Sequence, residues 1–172
     1  MATIRPMKAV DLLKFNPTNL DHLTETYSIS FYLEYLAKWP HLCRVIEGWD
    51  GGIEGYTTNP NPNYLPWHAH ITALTVAPSA RRLGHATLVT SALEAAGDAS
   101  DAWFVDLFVR EENKVAQTLY EKMGYSVYRR VVGYYNDDSD AFDMRKPLKR
   151  DGERKTVREG GENVRVDPSV VW

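Results

Sequence analysis

Arg81, Arg82, Gly84 and Ala86 stand together in a stretch that runs from Thr72 through Val76 and Pro78 to Ala86, a pattern suited to holding a phosphate. The N–H groups of a helix's first turn have no intrahelical partner and carry the positive end of the helix dipole. An anion reaches them only where no side chain blocks the approach, and a glycine followed by a small alanine keeps that approach clear. Two arginines just before the turn add fixed positive charge and planar donors suited to a pyrophosphate; a solvated basic turn is the plainer alternative. His68, His70 and Thr72 alternate along a β-prone run, which places them on one face of a strand where they can bind a polar group or relay a proton. No Cys or carboxylate stands at ligand spacing around His68 and His70, so no metal site is expected. Tyr120 carries a phenol that can donate a proton or simply pack. Asp106 breaks the apolar run Trp103 to Val109: buried it would need a hydrogen-bond partner, while its place towards a strand end favours a solvated carboxylate.

The elements that must position these groups follow from periodicity. His70 to Val76 reads as one strand, ended by Pro78, and an apolar-periodic helix opens at Gly84 and runs to about Gly97. Trp103 to Val109 suits a central strand covered on both faces. A helix follows with Asn113 as its cap and Gly124 as its stop, placing Val115, Ala116, Leu119, Tyr120 and Met123 on one stripe. Upstream, Thr3 to Arg5 predicts a strand, and Leu12, Leu13 and Phe15 a helix that Asn16 and Pro17 stop. Phe31, Tyr32, Tyr35, Leu36 and Trp39 recur at helical spacing, and this broad aromatic stripe packs either on the chain's own sheet or against another protein. Leu42 to Ile46 and Ile53 to Thr58 predict an antiparallel hairpin, Asn59 to Pro66 a loop, and Ser126 to Tyr135 with Ala141 to Lys146 two final strands. Beyond Leu148 the apolar period disappears, so residues 149–172 are expected to be a charged tail, flexible on its own, with Val170, Val171 and Trp172 at its tip as a docking point.

Composition limits the function classes. A chain of 172 residues with 44% apolar content can bury one sizeable core, which predicts one domain. A net charge of −3 offers no general argument for nucleic-acid binding. Cys43 is the single cysteine, so no intramolecular disulfide can form, and a reducing, cytoplasmic location is the simplest expectation. Neither a signal-peptide core nor an apolar run of membrane-spanning length is evident, which predicts a soluble protein with no membrane contact.

The order strand, helix, aromatic helix, hairpin, strand, Arg-x-x-Gly-x-Ala helix, apolar strand, Asn-to-Tyr helix and final hairpin resembles the GCN5-related N-acetyltransferase superfamily. That family's acetyl-CoA signature is Gln or Arg, two residues, Gly, one residue, then Gly or Ala, matched here by Arg81, Gly84 and Ala86. The resemblance implies a mixed α/β GNAT fold over residues 1–148, with a central, mostly antiparallel twisted sheet flanked by helices. Closer likeness lies in Asp21 to Tyr27, Phe31 to Pro40, Trp67 to Leu74, Val105 to Arg110, Tyr125 to Arg129 and Asp143 to Lys146. These segments resemble the catalytic subunits of N-terminal acetyltransferase B (NatB) complexes. Two departures are the Asn59 to Asn63 loop and the polar His85 inside the signature.

The resemblance carries specific expectations. Acetyl-CoA is the co-substrate: its pantetheine lies along Leu74 to Val76, its pyrophosphate is held by Arg81, Arg82, Gly84, His85 and Ala86, and Asn113 also contacts it. Tyr120 is the candidate general acid beside the thioester sulfur. His70 and Thr72 lie beside the second residue of the peptide, and His70 is a candidate relay for the amine's proton. Glu25, Tyr27 and Phe31, with Tyr134 and Tyr135, match two peptide-gripping loops. The implied reaction is direct acetylation of the α-amine of nascent chains beginning Met-Asp, Met-Glu, Met-Asn or Met-Gln. The implied partners are a large helical-repeat auxiliary subunit and, through the complex, the ribosome, with no direct nucleic-acid binding. An acetyltransferase for another amine class and an inactive CoA-binding scaffold are the alternatives.

Overall fold

The computed structural model describes residues 2–20, 25–58 and 66–171, and the chain divides into two units, Met1–Pro60 with Ile71–Ala96 and Asn61–His70 with Gly97–Trp172. Nine strands and four helices are labelled among the described residues. In chain order they are β1 (Thr3–Pro6), α1 (Asn16–Asn19), α2 (Ile29–Lys38), β2 (Arg44–Glu47), β3 (Ile53–Thr58), β4 (Ala69–Ile71), β5 (Ala73–Val76), α3 (His85–Ala99), β6 (Phe104–Arg110), α4 (Lys114–Lys122), β7 (Ser126–Val131), β8 (Ala141–Pro147) and β9 (Arg165–Val166).

The first unit is built on an antiparallel sheet of order β1-β2-β3-β5. The expected hairpin is there: Arg44 pairs with Thr57 and Glu47 with Ile53, and the Gly48 N–H closes the turn on Gly52 O at 2.9 Å. Gly51 has φ 77, a left-handed conformation that favours glycine. Behind the sheet lies a core of Met7, Phe15, Tyr32, Cys43, Val45, Ile53 and Tyr56. Ser28 Oγ caps α2 by accepting the Phe31 N–H, and Tyr32 drops from this helix into the core. Tyr56 donates its hydroxyl to Asn19 Oδ1 at 2.8 Å, so it accepts from the Tyr32 hydroxyl at 2.9 Å, and the two buried phenols satisfy one another. Phe31, Tyr35 and Leu36 pack on the same core, so the aromatic stripe is used within the unit, while Ile29 and Leu33 face away and are exposed. Asn16 and Pro17 do not stop a helix. They open α1, because proline's missing N–H costs nothing in a first turn, and the preceding Ala9–Lys14 is a 3-10 turn that leaves Leu13 exposed.

The second unit carries a five-stranded sheet of order β4-β6-β8-β7-β9, antiparallel at β6/β8 and β8/β7 and parallel at β7/β9. As expected, β6 is internal to its sheet, and Phe104 to Leu107 are buried without a break. In α4, Asn113 Oδ1 accepts the Ala116 N–H at 3.1 Å, and Gly124, with φ 93, follows the helix end. The predicted stripe needs one correction: Val115 is exposed and Gln117 is buried. The Gln117 amide donates to Arg110 O at 2.9 Å and Glu111 O at 2.7 Å, satisfying carbonyls that the turn after β6 leaves over, a tertiary need that apolar periodicity does not register.

Two further expectations are corrected. The run His70 to Val76 is not one strand. Its halves are equally β-prone, yet β5 pairs with β3 and β4 joins the sheet of β6, with Thr72 between them. The face shared by His68, His70 and Thr72 is therefore interrupted, and His68 itself precedes β4. The segment expected to be a flexible tail is folded through residue 171. Asp151 is buried and accepts from the Lys155 N–H, the Thr156 N–H and the Thr156 hydroxyl, and β9 adds to the edge of β7. Backbone pairing and a satisfied carboxylate hold it where apolar burial is scarce.

Candidate active site

In the first unit, β5 is the edge strand of its sheet among the described residues, with β3 on one side and no described strand of that sheet on the other. An edge strand presents unpaired backbone groups to which an extended, amide-bearing chain can add. After β5 the chain makes a 3-10 turn, Pro78–Ala80, and then passes through Arg82 at φ 66 and Gly84 at φ 81 into α3. Apart from Gly84's own chain neighbours, no atom of the described residues lies within 4 Å of where a Gly84 Cβ would stand, so no described side chain blocks the approach there. Leu88 N–H donates to Gly84 O, so the N–H groups of His85, Ala86 and Thr87 precede the first helical bond. Arg81 Nε donates to Val76 O at 3.3 Å, which ties its guanidinium to the end of β5, and both Arg81 and Arg82 are exposed. The His85 ring is turned elsewhere: Nε2 stands 2.9 Å from Glu54 Oε2 on β3, so only its backbone is directed at the helix end. Leu74 and Val76 are half-buried on β5. This junction suits a pantetheine and its pyrophosphate in both shape and charge.

Also in this unit, Tyr27 stacks on Phe31 with centroids 4.2 Å apart and meets Tyr32 edge-on at 6.1 Å. Burial, then the neighbouring Glu25, pushes the Tyr27 phenol up to about 12. Glu25 is exposed, whereas the Tyr27 ring, packed on Phe31 and Tyr32, leaves 37% of that residue exposed. Burial raises the Tyr35 phenol and the Thr72 hydroxyl partly offsets this, while Thr72 Oγ1 is itself buried and falls short of full hydrogen-bond geometry with any described group. Residues 21–24, next to Glu25, and residues 59–65, where the sequence predicts a loop, lie outside the described residues.

In the second unit the Asp106 carboxylate, expected in solvent, is 5% exposed, and its Oδ1 stands 2.9 Å from His70 Nδ1. Its place in the middle of a sheet leaves it no water, and a carboxylate so buried persists only with a partner. His68 Nε2 lies 3.8 Å from the same oxygen, and the His68 ring stacks on Phe104 at 4.6 Å. Burial opposes the charge on Asp106, but His70, then His68 and Arg145, outweigh it and hold the carboxyl below its ordinary value. Sequence reasoning named His70 and missed its partner; the available signal was a lone aspartate within an apolar strand, which demands a counter-group.

From His70 an aromatic series runs on: Phe108 lies 5.5 Å away, Tyr134 stacks on Phe108 at 4.7 Å, and Tyr135 meets Tyr134 edge-on at 5.1 Å. The expected strand ends at Val131, so Tyr134 and Tyr135 sit on a loop rather than in the ladder. That loop is braced by polar contacts. Asp140 accepts the Gly133 N–H and Arg130 Nε, Tyr135 N–H donates to Ser139 O, and the Arg110 guanidinium lies 4.0 Å from the Tyr135 ring while bonding Asp137. Bonds from Ser139, then from Arg110, pull Asp137 down to about 2. Tyr120 on α4 is buried and meets Tyr125 edge-on at 5.5 Å. Burial raises its phenol above the ordinary value, so Tyr120 keeps its proton at neutral pH.

Comparison with known proteins gives a consistent result. The acetyltransferase (GNAT) family model matches residues 12–125. The N-terminal acetyltransferase B complex catalytic subunit naa20 of Schizosaccharomyces pombe is 51% identical, covering 99% of each chain. The crystal structure of Chaetomium thermophilum Naa20 in complex with a bisubstrate analogue superposes with a TM-score of 0.95 at 53% identity, covering 99% of each chain. A NatB acetyltransferase complex bound to a bisubstrate inhibitor contains a chain with a TM-score of 0.87 at 42% identity, again over 99% of each.

Proposed function

The chain belongs to the acetyltransferase (GNAT) family, and on that premise we infer that it is the catalytic subunit of an N-terminal acetyltransferase B complex. It passes acetyl from acetyl-CoA to the α-amine of chains beginning Met-Asp, Met-Glu, Met-Asn or Met-Gln. The observation that carries this reading is the open junction from edge strand β5 to α3, with Arg81 and Gly84 at the signature positions, in a chain similar over 99% of its length to a NatB catalytic subunit.

The chemistry asks little of a base. A free α-amine has a pKa of about 7.7 to 8.0, so roughly a tenth or more is neutral at cytosolic pH and ready to attack. Acetyl-CoA supplies an activated thioester carbonyl. Leu74 to Val76 hold the pantetheine through backbone groups, and Arg81, Arg82, Gly84 and the N–H groups of His85 and Ala86 hold the pyrophosphate, with Asn113 as a further contact. As the amine adds and the C–S bond breaks, the amine loses a proton and the thiolate gains one. Tyr120, protonated and buried, donates to the leaving sulfur, whose thiol pKa of about 8.5 needs little help. His70 takes the amine's proton through water. Transfer is direct: Cys43 is fully buried, with no part as a nucleophile.

Glu25, Tyr27 and Phe31 in the first unit, and Tyr134 and Tyr135 in the second, are the residues assigned to gripping the substrate peptide. His70 and Thr72 read the second residue by hydrogen bonding, so an apolar residue there leaves buried polar groups unpaired and is rejected. A large helical-repeat auxiliary subunit and, through it, the ribosome in the cytoplasm complete the assembly. No helix among the described residues is long and apolar enough to cross a membrane. Acetyl transfer to peptides starting Met-Asp, Met-Leu, Ser and Ala, with and without the auxiliary subunit, tests the reading. Met-Asp is expected to be preferred. Preference for Met-Leu or Ser would reject the specificity, and no turnover on any peptide would favour a CoA-binding scaffold.

A further inference from the structure

We propose that Tyr56 is a positioning residue for peptide binding: its one hydroxyl clasps both ends of the segment that joins α1 to α2 and carries Glu25 and Tyr27. This rests on the N-terminal acetyltransferase reading above, in which Glu25 and Tyr27 grip the substrate peptide.

The argument starts from what each atom can do. Asn19 closes α1, before the segment, and Tyr32 lies in α2, after it. Both meet the same oxygen on β3: Tyr56 Oη stands 2.8 Å from Asn19 Oδ1 and 2.9 Å from the Tyr32 hydroxyl. An amide oxygen only accepts, so Tyr56 gives its single proton to the Asn19 bond and must accept the proton of Tyr32. The direction of donation, Tyr32 to Tyr56 to Asn19, is therefore fixed, and bonds in such a chain polarise one another. Burial, then the bond with Tyr32, raises the Tyr56 phenol above its ordinary value, so it keeps the proton that this order requires.

The hydroxyl at the centre is itself held in place. Tyr56 pairs with Val45 on one side and Thr75 on the other, its ring stacks on Phe15 at 4.3 Å, and none of it is exposed. On the Asn19 side, the backbone N–H donates to Phe15 O at 2.9 Å, so main chain and side chain are both fixed there. On the other side, Tyr32 turns its ring edge-on to Tyr27, which stacks on the adjacent Phe31. The strand's position thus reaches Tyr27 in two steps: Tyr56 fixes the Tyr32 hydroxyl, and the Tyr32 ring backs the Tyr27 ring. Phenylalanines at 32 and 56 would fill the same core, so what the hydroxyls add is direction. Without the clasp, the arrangement that receives the peptide is less populated, and apparent affinity falls by that fraction.

The test is steady-state kinetics with a Met-Asp peptide on the full chain with its auxiliary subunit. Tyr56→Phe keeps the ring that stacks on Phe15 and removes only the hydroxyl. It is expected to raise the peptide KM by about tenfold, the worth of one hydrogen bond, with kcat and the KM for acetyl-CoA within about twofold of the parent. Asn19→Ala, at a half-buried position at the end of α1, should do the same, and it decides the matter if Tyr56→Phe does not fold. In a Tyr27→Ala background neither substitution should raise the peptide KM further, because the clasp acts through that segment. An unchanged peptide KM, an equal rise in the KM for acetyl-CoA, or full additivity with Tyr27→Ala overturns the proposal. Failure of the unaltered enzyme to acetylate any peptide would instead reject the N-terminal acetyltransferase reading itself.

Discussion

The His85 imidazole Nε2 lies 2.9 Å from Glu54 Oε2, so the polar side chain inside the helix-opening turn faces strand β3 and not the open approach to the helix. In the first unit this pair braces the start of α3 against the sheet.

His85→Leu is therefore expected to cost about 1 kcal/mol of stability, the worth of one hydrogen bond, and to leave the KM for acetyl-CoA nearly unchanged. Gly84→Val, which sets a branched side chain at φ 81 over the same N–H groups, should raise that KM by about tenfold or more. Steady-state kinetics with varied acetyl-CoA separates the two. A large KM increase in His85→Leu would show that the ring, and not only its backbone, serves the phosphate.

Tyr120→Phe retains the ring that packs on Tyr125 and removes only the hydroxyl. Turnover should fall by about a hundredfold, the usual contribution of a positioned acid, with little change in acetyl-CoA affinity. Equal kcat in the mutant and the parent would strip Tyr120 of the acid's role.

Asp11 accepts both ends of the Arg5 guanidinium and the Lys8 N–H while 2% exposed. The bond from Arg5, opposed by burial and reinforced by Lys8, lowers its pKa in the folded chain. The unfolded value is about 3.9, so the stabilisation is complete above that pH and drains away as pH falls through the lower folded value. Asp11→Asn should then be about 2 kcal/mol less stable near pH 7, and the gap should close below about pH 4. Chemical denaturation across this range checks it, and a gap that ignores pH would contradict the assignment.

A Cβ on Gly161 would lie 2.0 Å from the Val127 carbonyl oxygen, and a backbone atom cannot step aside as a side chain can. Gly161→Ala should release the segment that carries β9, with lost amide-exchange protection across residues 149–171 and a stability cost of about 1 to 3 kcal/mol. Retained protection at Arg165 and Val166 would mean that the segment has another way to dock.

Much of the molecule was legible because local chemistry repeats at fixed intervals. The hairpin of β2 and β3, the capped helix α4 and the Arg81 to Ala86 junction each announce themselves within about a dozen residues. What escaped were features whose cause lies far along the chain. Gln117 is buried for the sake of two carbonyls on the preceding turn, and the 149–171 segment folds because it finds the open edge of β7. Thr72 divides one apparent strand into two because its halves pair with different partners, and a period-2 pattern is blind to partners.

Residue types at short spacings were enough for the mixed α/β class and for the Arg-x-x-Gly-x-Ala pattern at Arg81 to Ala86. Only the tertiary structure decided that Asp106 is buried and bonded to His70, a residue 36 positions away. Burial turns an aspartate from a solvated ornament of a strand into a charge that must be paired, and that pairing depends on which strands lie side by side, which no local pattern encodes.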